Sequence, residues 1–119
     1  MLGLVGAPAC TDGFGLEDVL GVWNTQSIDG YAVPGDVVYG GGTYATEYVR
    51  WALYDGGYCT LTQRVDDVTA TFDDCEYTVD LEQETVVIVF QSASWDGRVA
   101  GDIMTLTDPQ DVVWVLGAQ

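Results

Sequence analysis

The chain has 119 residues, enough for one domain with a single core. Nineteen Asp and Glu face three Arg, with no Lys and no His, giving a formal net charge of -16, while 48% of the residues are apolar. That apolar content argues against wholesale disorder, and a field of this sign repels phosphate backbones and anionic lipid heads, which excludes nucleic-acid binding. Asp outnumbers Glu fourteen to five. The excess reads as a solubilising coat suited to high salt, where self-repulsion is screened, ahead of divalent-cation binding, for which no D-x-[DN]-x-[DN]-G loop is present.

Residues 1–10, MLGLVGAPAC, are apolar and uncharged, and too few to span a bilayer. They resemble the tail of a secretory signal peptide without its basic n-region. The small residues before Cys10 resemble the lipobox of bacterial lipoproteins, in which that cysteine becomes the lipidated N-terminus. Plain secretion and an incidental apolar start are the alternatives, and a lipid anchor at Cys10 is the one membrane attachment expected. Residues 11–19 read as a linker, with GLEDVL (15–20) supplying a single helical turn into the first strand.

Turn signals then recur at short intervals: Asp29-Gly30, Pro34-Gly35, Gly40-Gly41-Gly42, Asp55-Gly56-Gly57, Asp96-Gly97 and Gly101-Asp102. Between them lie short runs rich in Val, Thr, Tyr and Trp, the pattern of an antiparallel all-β sandwich or barrel. The runs predict strands at 21–28, 43–54, 57–65, 68–72, 75–81, 84–91, 95–100, 103–107 and 112–117. Residues 68–81 read equally as one strand bent by a bulge at Asp73-Asp74. No βαβ spacing occurs, so an α/β enzyme scaffold is excluded. In CEYTVDL, Cys75, Tyr77, Val79 and Leu81 share one face, so this strand has a dry and a wet side. Val86 to Phe90 is continuously apolar and is expected to be buried on both faces or covered by a partner. Left as an open edge it would aggregate, a hazard that a closed barrel removes.

The cysteines fit the same scheme. With Cys10 set aside, Cys59 and Cys75 remain as an even pair. A three-residue turn at Asp66-Asp67-Val68 places them directly opposite each other on the apolar side of a hairpin, close enough for a disulfide. Two buried free thiols are the alternative.

Gly21-Val22-Trp23 at the start of the first strand, followed by Ser27-Ile28-Asp29-Gly30 and Val33-Pro34, is similar to the opening of small bacterial lipocalin-like domains. DGRVAGDIMTLTD (96–108) is similar to the hairpin that closes such domains, with VVWVLG (112–117) as the last strand. The resemblance covers residues 20–118. It implies an all-β, up-and-down antiparallel meander closing into a small barrel of about eight strands over residues 20–119. It also implies an extracytoplasmic location and a small apolar or amphipathic ligand in the barrel mouth. Gly21 and Trp23 would close the opposite end. The chain has no counterpart of the family's Thr-Asp-Tyr motif, and its last strand lacks the Arg that normally covers the Trp; Arg50 or Arg98 could take that place. A barrel this small is alternatively filled by its own side chains.

Enzymatic chemistry is sparse. Without His there is no Ser-His-Asp triad, and without Lys no Schiff base. The pairs Asp66/Asp67 and Asp73/Asp74 read as turn or bulge residues before acid–base pairs, because adjacent strand residues point to opposite faces. No enzyme activity, metal or cofactor is expected. The aromatic residues are the more informative set. Tyr48, Trp51, Phe90 and Trp95 are the candidate ligand-lining side chains, with Arg50 the contact for an anionic head group if it points inward. Core packing and cross-strand pairing are the alternative for the rings, and local ion pairing for each Arg. Two functions follow: an extracytoplasmic, non-enzymatic module binding a small apolar ligand, or a structural protein with a filled barrel that self-associates or meets an envelope partner.

Overall fold

The computed structural model describes residues 14–119; the apolar leader, Cys10 and the start of the linker lie outside the described residues. A single 3-10 turn at Leu16–Asp18 leads into eleven strands. They are β1 (Gly21–Ile28), β2 (Tyr31–Ala32), β3 (Gly35–Tyr39), β4 (Gly42–Tyr54), β5 (Tyr58–Val65), β6 (Val68–Phe72), β7 (Cys75–Asp80), β8 (Thr85–Phe90), β9 (Ala93–Ala100), β10 (Ile103–Thr107) and β11 (Val113–Ala118).

Eight of these close a barrel, in the order β1-β11-β10-β9-β8-β7-β5-β4 and back to β1, all antiparallel. The fold is therefore the all-β barrel expected. The other three strands hang from the ring: β2 pairs with β1, β3 with β4, and β6 with β5. Sequence patterning shows eight of the ten strands beyond β1, but misses β2 and β3. Both are short and boxed in by Gly30, Pro34, Gly35 and the Gly40-Gly41 turn, whose glycines take φ of 59° and 84°.

The long strands β4 and β5 serve two structures in succession. The lower part of β4, Arg50 to Leu53, pairs with β1 in the ring, whereas Gly42 to Thr46 pairs with β3. The upper part of β5, Leu61 to Val65, pairs with β6. A four-stranded lip, β3-β4-β5-β6, thus continues past one end of the barrel. A bulge at Glu47 divides the two halves of β4, keeping Thr46 and Val49 on the inner side although they are three residues apart.

The barrel's thinnest seam is between β5 and β7, where the only paired residues are Tyr58 and Glu76. The disulfide between Cys59 and Cys75 ties this seam, with Cα atoms 4.9 Å apart and both cysteines buried. The expected pairing is present, although the hairpin reaches it differently. The turn is the two-residue Asp66-Asp67, both at positive φ, and Val65 pairs with Val68. That register alone would miss by one residue. A one-residue shift at Asp73-Asp74, between the Leu61–Phe72 and Tyr58–Glu76 pairs, restores it. Replacing both cysteines with alanine is expected to cost about 3 kcal/mol on the chain-entropy account of a loop of this length. Urea unfolding of the double variant against the oxidised protein measures it.

Inside the ring, Trp23, Trp51, Leu53, Ile88, Met104, Leu106 and Leu116 are fully buried. The Val86–Phe90 run departs from expectation. Val86 and Ile88 point inward and are buried, while Val89 remains 40% exposed on the outer wall. Ring closure gives β8 a partner on each edge, β7 and β9, so its outer face needs no cover. Gly97 faces the interior, where a Cβ would lie 2.6 Å from Val86 and 2.8 Å from Leu106.

Candidate functional site

The two ends of the barrel differ. At the Gly21 end, Val19 is buried after the 3-10 turn, with Phe14 and Leu20 packed on the core beside it. The Trp23 indole N–H donates to the Val19 carbonyl at 2.9 Å. Trp23 also lies opposite Trp51 in the β1–β4 ladder, so this end is stopped by apolar side chains. Arg50 does not cover Trp23.

The middle of the barrel is occupied by an aromatic cluster. The Trp51 ring meets Trp95 at 5.1 Å, Phe90 at 5.5 Å and Trp114 at 6.3 Å between centroids, all edge to face. Trp95 and Trp114 are 4.9 Å apart, and Phe72 extends the set from β6 onto Phe90. Trp51, Phe90 and Trp95 are thus brought together, but as packing rather than as the lining of a cavity. An eight-stranded ring has an interior just wide enough for side chains, and four large rings fill it. Tyr48 and Arg50 sit elsewhere. The register pairs Tyr48 with Arg64 and Arg50 with Thr62 on the outer wall. There the Arg50 guanidinium lies 4.1 Å above the Tyr48 ring. Arg50 is exposed and cannot meet a head group inside the barrel.

A cleft lies at the other end, where β1 and β4 part above the Asn24–Arg50 pair. Five residues of β1 separate Trp23 from Ile28 at the cleft, about 16 Å along a strand. Its volume is about 240 Å³. Ile28, Val37, Val49, Val65 and Trp114 give it apolar walls; Tyr39, Tyr44, Thr46 and Gln63 add polar tips without charge. Strand alternation puts these side chains together: Val37 and Tyr39 are two apart on β3, as are Gln63 and Val65 on β5.

One carboxylate organises this wall from behind. Asp108, 3% exposed in the β10–β11 turn, accepts four hydrogen bonds. Oδ1 takes the Gln110 and Val112 N–H groups at 2.8 and 3.0 Å, the pattern of an Asx turn. Oδ2 takes the Tyr39 hydroxyl at 2.6 Å and the Trp114 indole N–H at 3.1 Å. Burial pushes the Asp108 carboxyl up, but the four donors outweigh it and hold it below the usual carboxylate range. The Tyr39 phenol is raised, first by burial and then by the bond to Asp108 and its charge. Asp108 thereby ties Tyr39 of β3, 69 residues away in sequence, to Trp114 of β11.

None of Val37, Tyr39, Gln63, Asp108 or Trp114 stands out as a site residue in the sequence. The one local signal is Asp108-Pro109, which favours a turn. Set against known proteins, the chain matches no protein-family model, no curated protein and no solved structure. The likeness therefore stops at the barrel. Among the described residues no three His, Cys, Asp or Glu side chains gather in a metal-binding cluster.

Proposed function

We propose that this protein is a non-enzymatic, extracytoplasmic binding module, lipocalin-like in kind, that holds a small apolar or amphipathic molecule at the mouth of its barrel. The observation that carries this reading is the uncharged cleft between lip and barrel, with apolar walls and a few hydroxyl and amide tips, the composition typical of small-molecule sites. Its volume of about 240 Å³ lies between an engineered cavity of about 150 Å³ that takes up benzene and the ~300 Å³ at which drug-sized sites begin. A single substituted ring or a short chain is the right size. The Cys59–Cys75 bond supports an oxidising compartment, reached by secretion or by anchoring through Cys10. Adjacent aspartates occupy a turn and a bulge, which supports a non-catalytic role.

The test is a series of uncharged alkylbenzenes from toluene to butylbenzene, followed by tryptophan emission and by the rise in Tm. A saturable response that peaks within the series is expected. Val65→Trp, at a half-buried lip position lining the cleft, is expected to abolish it by filling the space. No saturable response to any member, or binding unchanged in Val65→Trp, sinks the proposal.

A second reading, a solid scaffold that self-associates or meets an envelope partner, is favoured by the filled interior and by β3 and β6. Each pairs with one strand only and keeps a free edge. The aspartates at both ends of β6 argue against it, since charges there blunt edge pairing. Sedimentation of the same samples separates the two: a dimer indifferent to every probe supports the scaffold.

A further inference from the structure

We infer that the cleft selects an organic cation, an ammonium carried on a small apolar or aromatic body, over neutral and anionic molecules of the same shape. This deepens the binding-module reading and rests on it. Three aromatic side chains, Tyr39, Tyr44 and Trp114, line the cleft, and the faces of such rings attract cations. Two of them, Tyr39 and Trp114, donate to one oxygen of Asp108. A carboxylate therefore stands one side chain behind the wall, buried from solvent and poorly screened by salt. Polarised in this way, the phenol and indole rings that line the cleft are more electron-rich than either would be alone.

The distribution of positive charge agrees. Arg50 is on the outer wall over Tyr48. Arg64 is on the face of β5 opposite Gln63, held by Glu47 at 3.2 Å and Asp67 at 4.0 Å. Arg98 is on β9, whose partners are β8 and β10, away from the lip. None of the three lines the cleft, so nothing there would compensate an anionic head group. At long range the net charge of -16 draws cations in and turns anions away.

Three probes of similar size test this: benzyltrimethylammonium, its carbon isostere neopentylbenzene, and the anion phenylpropionate, each titrated against tryptophan emission at low salt and in 0.5 M NaCl. The cation is expected to bind ~tenfold more tightly than neopentylbenzene, the range of a partly desolvated cation–π site, and phenylpropionate to show no saturation. The preference is expected to persist in 0.5 M NaCl. Tyr44→Leu, at an exposed lip position whose loss leaves the core intact, is expected to weaken benzyltrimethylammonium more than neopentylbenzene, reducing the preference to within about threefold. Equal binding of cation and neutral isostere overturns the cation selectivity and leaves the cleft reading standing. So does a preference that vanishes in 0.5 M NaCl, which assigns it to the acidic surface, or one unchanged in Tyr44→Leu. If none of the three probes binds saturably, the cleft reading itself fails.

Discussion

Trp51→Ala is expected to destabilise the protein by about 5 kcal/mol, at the upper end of aromatic-to-alanine substitutions in cores. Trp51 has no exposed surface and meets three other rings edge to face, each such pair contributing about 0.5–1.5 kcal/mol beyond burial. The hydrogen-bonded ring around it cannot collapse onto the vacancy, so the cavity persists. A loss of this size approaches the whole stability of a domain with a typical 5–15 kcal/mol, and would lower Tm by roughly 20 °C. Trp51→Phe separates packing from polarity. The Trp51 indole N–H is buried with no hydrogen-bond partner among the described residues, so phenylalanine keeps most of the ring contact and sacrifices no bond. At Trp23 the same change loses the bond to Val19 and strands a buried carbonyl. Trp51→Phe is therefore expected to cost less than Trp23→Phe. Urea unfolding of the three variants measures this, and a Trp51→Ala cost under about 1 kcal/mol would mean the interior is not close-packed.

The same residue illustrates where sequence patterning stops. Trp51 alternates with Val49 and Leu53, so its inward direction is legible. Whether an inward ring lines a cavity or fills it depends on what the opposite wall contributes. Phe90, Trp95 and Trp114 arrive from strands 39 to 63 residues away, and nothing local to Trp51 announces them. Cys75, Tyr77 and Val79 on the dry face of β7 and turns such as Asp29-Gly30 and Gly40-Gly41 are equally legible, because period-two alternation and glycine chemistry are local. Leu81, expected on the same face, lies past the strand end and is exposed, and Asp96-Gly97, expected as a turn, falls inside β9. The cleft is not legible in this way. It exists because β1 and β4 separate, because a bulge at Glu47 re-aims Thr46, and because the short β3 folds Val37 and Tyr39 over the gap. Arg50 shows the converse error: a cation between Val49 and Trp51 necessarily faces away from both, and alternation alone puts it on the outer wall. Cys59 and Cys75 face each other through two offsetting differences from the expected hairpin: the turn is one residue shorter, and the extra residue at Asp73-Asp74 makes up for it.

Asp108→Ala is expected to be nearly as costly as Trp51→Ala, about 3–5 kcal/mol, for a different reason. It leaves the Tyr39 hydroxyl, the Trp114 indole and the Gln110 and Val112 amides without their acceptor, and each buried orphan costs about 1–3 kcal/mol before relaxation and water recover part of it. Asp108→Asn keeps the shape and one acceptor oxygen and should fall in between. The contribution also depends on pH, with a sign fixed by linkage. Asp108 lies below its usual range in the folded protein, so the unfolded chain takes up the proton first as pH falls. Its stabilisation is complete above the unfolded value near 4 and disappears as pH drops through the lower folded value. Tyr39 runs the other way. Its raised phenol contributes fully below the ordinary tyrosine value near 10 and loses that contribution as pH climbs through the folded value. The stability gap between wild type and Asp108→Asn should therefore be constant from about pH 5 to 9 and close on the acid side. Taking the difference removes the relief of self-repulsion that acid brings to so acidic a chain. Ultraviolet titration of Asp108→Asn should show Tyr39 ionising nearer its ordinary range, because the partner charge is gone. A gap that stays constant down to pH 2.5 would mean that Asp108 is not the ionised hub joining β3 to β11. The cleft, whose wall Tyr39 and Trp114 form, would then owe its shape to packing alone.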